Sequence, residues 1–163
     1  MKSSSKDRLN QLLNREVKAR IICAQLNNFV DLKPTLINVI DHIKDLTDCE
    51  AMSIRLHDEG DYPYYVYAGF PESFIKRENS LCSKDKKGNR IPSPDGKSYL
   101  LDCMCGNVIC GITDPSLPYF TREGSFWSPD AHDLPPLFFG CPLRGECLRE
   151  GFHSMAIIPI RVS

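Results

Sequence analysis

Residues 51–70 read "AMSIRLHDEGDYPYYVYAGF", and their apolar period is two. Met52, Ile54 and Leu56 alternate with Ser53, Arg55 and His57, the pattern of a strand with one wet face. "EGDYP" supplies turn formers and "YPYYVYAGF" a second, aromatic-rich strand, so the two are expected to pair as an antiparallel hairpin. Tyr62, Tyr64, Tyr65 and Tyr67 then pack the sheet's two faces, and His57 lies on its surface.

Upstream the period is helical. Leu9, Leu13, Val17, Ile21 and Ala24 recur every three or four residues, flanked by Lys6, Arg8, Arg15, Lys18 and Arg20. Residues 1–30 are therefore read as an amino-terminal helix, either packed on the sheet or serving as a signalling and dimerising helix. Asp31 has the chemistry of an N-cap and Pro34 is tolerated in a first turn, which predicts a second helix to about Leu46. Its buried stripe would be Leu36, Ile40, Ile43 and Leu46, with His42 on the surface.

Downstream, "PESFIKRENS" predicts a helical turn or two, and residues 84–97, "KDKKGNRIPSPDGK", an exposed loop. Residues 113–140 hold five prolines and read as a long irregular insertion, a common home of function. "GFHSMAIIPIR" (151–161) is a nearly continuous apolar run that suits a central strand. The order of elements favours an α+β fold, an antiparallel sheet with helices packed on one face. The chain stops two residues after that run, where a sheet would normally turn and add a strand. Residues 31–163 are thus expected to be a domain lacking its last strands, cut from a longer protein.

The totals narrow the function. A formal charge of −1 gives no basic excess for nucleic acid or an anionic membrane. The apolar runs are too short to cross a bilayer, and the first twenty residues lack a secretory signal, so a cytoplasmic protein is expected. Eight cysteines is a high count for a reducing compartment, where thiol clusters point to metal, cofactor or redox chemistry. Cys23 and Cys49 sit in apolar patterns and read as core.

"CEAMSIRLHDEGDYPYYVYAGFPESFIKRENSLC", "LDCMCGNVICG", "YFTREGSFW" and "EGFHSMAIIPIR" together resemble a subgroup of GAF domains, over roughly residues 8–161. That subgroup occurs in sensor histidine kinases with PAS modules, in bacteria and methanogenic archaea. The resemblance implies a central antiparallel sheet with helices on one face and a ligand pocket on the other. It implies a sensory module that is not itself an enzyme, binds a small molecule or cofactor, and signals to an output domain such as a histidine kinase through terminal helices. The family's closing strands after "IPIR" are missing here. Some similar methanogen modules carry haem, in part through a cysteine.

The remaining six cysteines leave several chemistries open. A zinc or iron–sulfur centre would draw about four ligands from Cys82, Cys103, Cys105, Cys110, Cys141 and Cys147, with His132 and His153 in reserve. The C-x-C-x4-C spacing of Cys103, Cys105 and Cys110 is not the C-x2-C knuckle, and bringing all three together needs a bend at Gly106. Haem would need an axial thiolate or imidazole and an apolar slot, walled by Phe120, Phe126, Trp127, Phe138 and Phe139. Cys103, Cys105, Cys110, Phe126 and Trp127 are the candidates for cofactor binding. The plainer reading is that thiols and aromatics fill the core. As an enzyme, the chain would be a thiol redox catalyst: "GECLREGFHSMAIIPI" resembles the cysteine before the final strand of free methionine sulfoxide reductase, itself a GAF domain.

Overall fold

A computed structural model describes residues 5–135 and 137–161, without the side chains of Leu137, Phe138 and Pro142. The described chain divides into two compact units. The first runs to Leu56 and resumes over Tyr64–Glu72; the second takes His57–Pro63 and everything from Ser73 onward.

In the first unit, α1 (Ser5–Asn27) is the helix that the apolar period predicts, but none of its residues is buried. Leu9, Leu12, Leu13 and Val17 are all more than half exposed. α2 (Leu32–Thr47) begins at Asp31, whose carboxylate accepts from Lys33 N at 3.1 Å, and ends at Asp48 in the left-handed region. Pro34 sits in its first turn, where its missing N–H costs nothing. Val39 and Ile40 are its buried residues, with Leu36, Ile43 and Leu46 half-buried on the same stripe.

The expected hairpin is present. β1 (Met52–Arg55) pairs antiparallel with β2 (Tyr64–Ala68) in the register Met52↔Ala68, Ser53↔Tyr67, Ile54↔Val66. The ladder then slips, setting Arg55 opposite Tyr64 and leaving Tyr65 as a bulge. Arg55 lays its guanidinium 3.5 Å from the centre of the Tyr64 ring. No face of β1 is wet; all four residues are half-buried. Gly69 follows β2 at the open end of the hairpin with φ +82°, and a Cβ there would lie 2.0 Å from the Glu50 carbonyl oxygen, so only glycine fits.

In the second unit, α3 (Glu72–Glu78) buries Phe74 and Ile75. The predicted loop is tighter than its polarity suggests. Leu100 N bonds Ile91 O, Ile91 N bonds Ser83 O and Ser83 N bonds Leu100 O, tying three short segments together. α4 (Cys103–Ile109) buries Met104, Asn107 and Val108. β3 (Phe126–Ser128) pairs with β6 (Met155–Ile157); β4 (Leu137–Phe138) pairs with β5 (Cys141–Pro142); α5 (Glu146–Arg149) lies between β5 and β6 in the chain. The core is Met104, Val108, Phe120 and Phe126, flanked by Leu117, Tyr119, Leu134, Leu143, Met155 and Ile157.

The structure is α+β, but among the described residues the strands form three separate two-stranded ladders and not one central sheet. The run read as a central strand is the clearest departure. Only Met155–Ile157 pairs, on one edge, and Ile158 and Ile160 are 71% and 77% exposed. Pro159 has no N–H to donate, so the ladder cannot continue through it. Cys23 and Cys49, read as core, are exposed, because α1 buries no face and Cys49 follows the end of α2.

Candidate functional site

The second unit's most structured polar feature is the turn joining the hairpin strands. Asp58 and Asp61 exchange two backbone hydrogen bonds of 2.9 Å, and Gly60 takes φ +81° beneath them. The buried Asp61 carboxylate accepts from Tyr62 N at 2.7 Å and Leu81 N at 2.8 Å, and Arg90 stands 3.5 Å from its second oxygen. Burial alone would raise this carboxyl. Hydrogen bonds from Ser80, Tyr62, Leu81 and Cys82 outweigh it and hold it below the ordinary aspartate value. A depressed carboxyl stabilises the fold above its unfolded-state value and loses that contribution as pH falls through the folded one. We therefore expect the second unit to weaken below about pH 4. Asp61→Asn should cost about 1–3 kcal/mol at neutral pH and flatten that acid limb, read by urea unfolding between neutral pH and pH 3.

Against this turn lies Tyr99. A Cβ on Gly60 would come within 3.0 Å of its ring, so the glycine lets backbone and ring meet. Arg90 covers the ring at 5.3 Å. Two hollows open around Tyr99. One, of ≈ 190 Å³, is lined by His57, Gly60, Tyr62, Tyr99, Leu101, Ile109 and Cys110, with Ser98. The other, of ≈ 280 Å³, shares Gly60, Ser98 and Tyr99 and opens toward Glu59, Pro92 and Lys97. His57 and Tyr62 stack edge-on at 5.2 Å along the first rim. This hollow combines rings, aliphatic carbons, a hydroxyl and a thiol. It is below the roughly 300–1,000 Å³ of sites for larger ligands.

The six candidate cysteines do not converge. Cys110 is exposed at the end of α4 beside the Tyr99 hollow, and burial of its sulfur pushes the thiol up. Cys105 is half-buried in α4, and Cys147 half-buried in α5. Cys82 is fully buried with Sγ 3.7 Å from Gly60 O, and burial pushes its thiol up too, helped by the Asp61 charge. Cys141 Sγ lies 3.9 Å from the carbonyl oxygens of both Leu101 and Cys103, again with its thiol pushed up by burial. Cys103 starts α4 at φ +64°, a strained position for a residue with a side chain. Gly106 does not bend the helix to gather the thiols. It lets α4 lie against Leu101, whose backbone would be 2.8 Å from an added Cβ.

What joins these segments is Arg144. Its guanidinium donates to Ser80 O at 2.7 Å, Cys82 O at 3.2 Å and Asp102 Oδ2 at 3.1 Å, with Glu78 at 3.5 Å. Burial opposes its charge, but Glu78 and Asp102 outweigh burial and hold the proton more firmly than usual. Asp102 also accepts from the Ser83 hydroxyl.

The expected cofactor geometries fare unevenly. Among the described residues the one group of three metal-type ligands that converges is Asp130, His132 and His153, without a thiol. The haem slot does not form from the chosen aromatics. Phe120 and Phe126 are packed in the core, Trp127 points the other way from β3 and is 51% exposed, and Phe139 is also exposed; the Phe138 side chain lies outside the described residues. Alternation along a strand separates Phe126 from Trp127, and the apolar neighbours claim Phe126.

Tyr99, Gly60, Leu101 and Ile109 escaped the sequence reading because no spacing links them; they meet only through the pairing of residues 81–84 with 90–92 and 99–102. No family model, curated protein or solved structure matches the chain.

Proposed function

We propose that this chain is a sensory module of the GAF type, not itself catalytic, whose guest is a small organic molecule seated in the hollow at Tyr99 and Cys110. The observation that carries this reading is the lining: two tyrosines, a histidine, two aliphatic side chains and a thiol around ≈ 190 Å³. The hollow falls within the segment from Cys82 to Cys147 where a guest is expected, together with the turn from His57 to Tyr62. A guest touching His57, Gly60 and Tyr62 touches the chain as it leaves β1 and enters β2, so binding can bias the strands by differential affinity.

The remainder of the reading follows from the same module. The reading places the protein in the cytoplasm, where a cysteine-rich chain is kept reduced, and no helix among the described residues is long and apolar enough to cross a membrane. The exposed apolar stripe of α1 suits pairing with a second copy and relay to an output domain such as a histidine kinase.

Filling the hollow tests the assignment. A nuclear magnetic resonance screen of the whole chain with small ring compounds is expected to give binders that Cys110→Trp weakens at least tenfold. Binders indifferent to that substitution contradict the reading. The same samples should sediment as dimers, and a monomer at high concentration removes the pairing of α1.

A further inference from the structure

The β3–β6 ladder builds a different kind of site, one without a thiol. Its register sets Ser128 opposite Met155, so two residues beyond the ladder Asp130 stands opposite His153. Ala131 N bonds His153 O at 2.6 Å and holds that relation. The chain then turns into a 3-10 helix (Ala131–Asp133) that Asp130 caps, its carboxylate accepting from His132 N at 3.0 Å. Ser128 Oγ donates to Asp130 O at 2.8 Å and fixes the bend. Ladder and turn together aim three side chains at one point.

Two of the separations at that point are those of adjacent ligands in a coordination shell. His132 Nδ1 lies 2.9 Å from Asp130 Oδ1 and 3.2 Å from His153 Nδ1, and the three ligand atoms all fall within 4.8 Å of one another. Ligands about 2.1 Å from a metal and at right angles are separated by about 3.0 Å, and tetrahedral ones by about 3.4 Å.

His132 Nδ1 faces both the Asp130 carboxylate and His153 Nδ1, and a neutral imidazole nitrogen carries either one hydrogen or one lone pair, so a single hydrogen on it serves only one of the two contacts well. A cation at the common point would engage all three ligand atoms at once.

We infer that Asp130, His132 and His153 form a binding site for a borderline divalent metal ion such as Zn²⁺, two imidazoles and one carboxylate that leave coordination positions open to solvent. The donor set is that of imidazole-preferring first-row metals, in contrast to a thiolate clamp. Three protein ligands leave room for water or a further ligand, because His132 and Asp130 are each about half exposed. The ion would staple the 3-10 turn to the start of β6. This site is independent of the Tyr99 hollow, which shares none of its residues.

The test uses the whole chain, reduced, stripped of metal and titrated with Zn²⁺ alone. Imidazole nitrogen resonances are followed for the four histidines, and thiol reactivity is measured in parallel. His132 and His153 Nδ1 signals are expected to move together and saturate at one equivalent, with His42 and His57 unmoved and the thiol count unchanged. Asp130→Asn keeps an N-cap for the turn and should weaken zinc at least tenfold with the backbone spectrum retained; His153→Gln should abolish the shift at His132. Zinc taken up by thiols with His132 and His153 unmoved, no zinc bound at all, or Asp130→Asn binding as tightly as wild type would each overturn the site.

Discussion

Phe126→Ala is expected to cost the second unit about 3–5 kcal/mol, the range for removing a fully buried phenylalanine. Its ring is 0% exposed and meets Phe120 at 5.6 Å and Tyr119 at 6.4 Å, over Met104 and Val108. The space left has no water-facing side into which neighbours can relax, so the cavity persists. Trp127→Ala on the next residue should change stability by under about 1 kcal/mol, because that indole is half in solvent. Urea unfolding followed by circular dichroism measures both. A Phe126→Ala protein of unchanged stability would show that the ring lines a space and does not fill the core.

The second large effect is Arg144→Met. Methionine replaces the aliphatic stem but removes the cation that Glu78 and Asp102 share and the donor that Arg144 gives to the carbonyls of Ser80 and Cys82. Breaking a fully buried ionic cluster costs about 3–5 kcal/mol. Here the side chains keep 11–23% of their exposure, so about 2–4 kcal/mol is expected once solvent screening is counted. Adding Asp102→Asn to Arg144→Met should recover part of the loss, since one of the stranded charges is gone. A double variant no more stable than Arg144→Met would show that this contact contributes nothing.

These two residues also show what the sequence could convey. The elements were legible wherever a local period was long: the 3.6 period before residue 47 and the capping chemistry of Asp31 correspond to the structure, and the alternation from residue 52 marks a strand, though one that ends at Arg55 and has no wet face. Burial was legible less well, because it is a property of contacts. Phe126 and Trp127 are adjacent and similar in chemistry, and only the facing of β3 gives one to the core and the other to water. The apolar run 155–160 matches a buried strand in composition, yet Pro159 ends its pairing. The cysteines look clustered because Cys103, Cys105 and Cys110 are close in sequence. Cys103 and Cys105 lie in one short helix that Cys110 caps, and among the described residues no three thiols converge, while Cys141 arrives from elsewhere at the Cys103 carbonyl. Likewise His132 and His153 are twenty-one residues apart, and a three-residue ladder brings them to 3.2 Å.

The assignment of a guest to the Tyr99 hollow is most directly tested at the thiol on its rim. With a bound ring compound present, alkylation of Cys110 by a maleimide should slow at least tenfold, read residue by residue in digested protein by mass spectrometry. Cys23 and Cys49, exposed and outside the hollow, serve as internal controls and should react at unchanged rates. Equal reactivity of Cys110 with and without the compound, at concentrations where the compound is bound, would contradict the account.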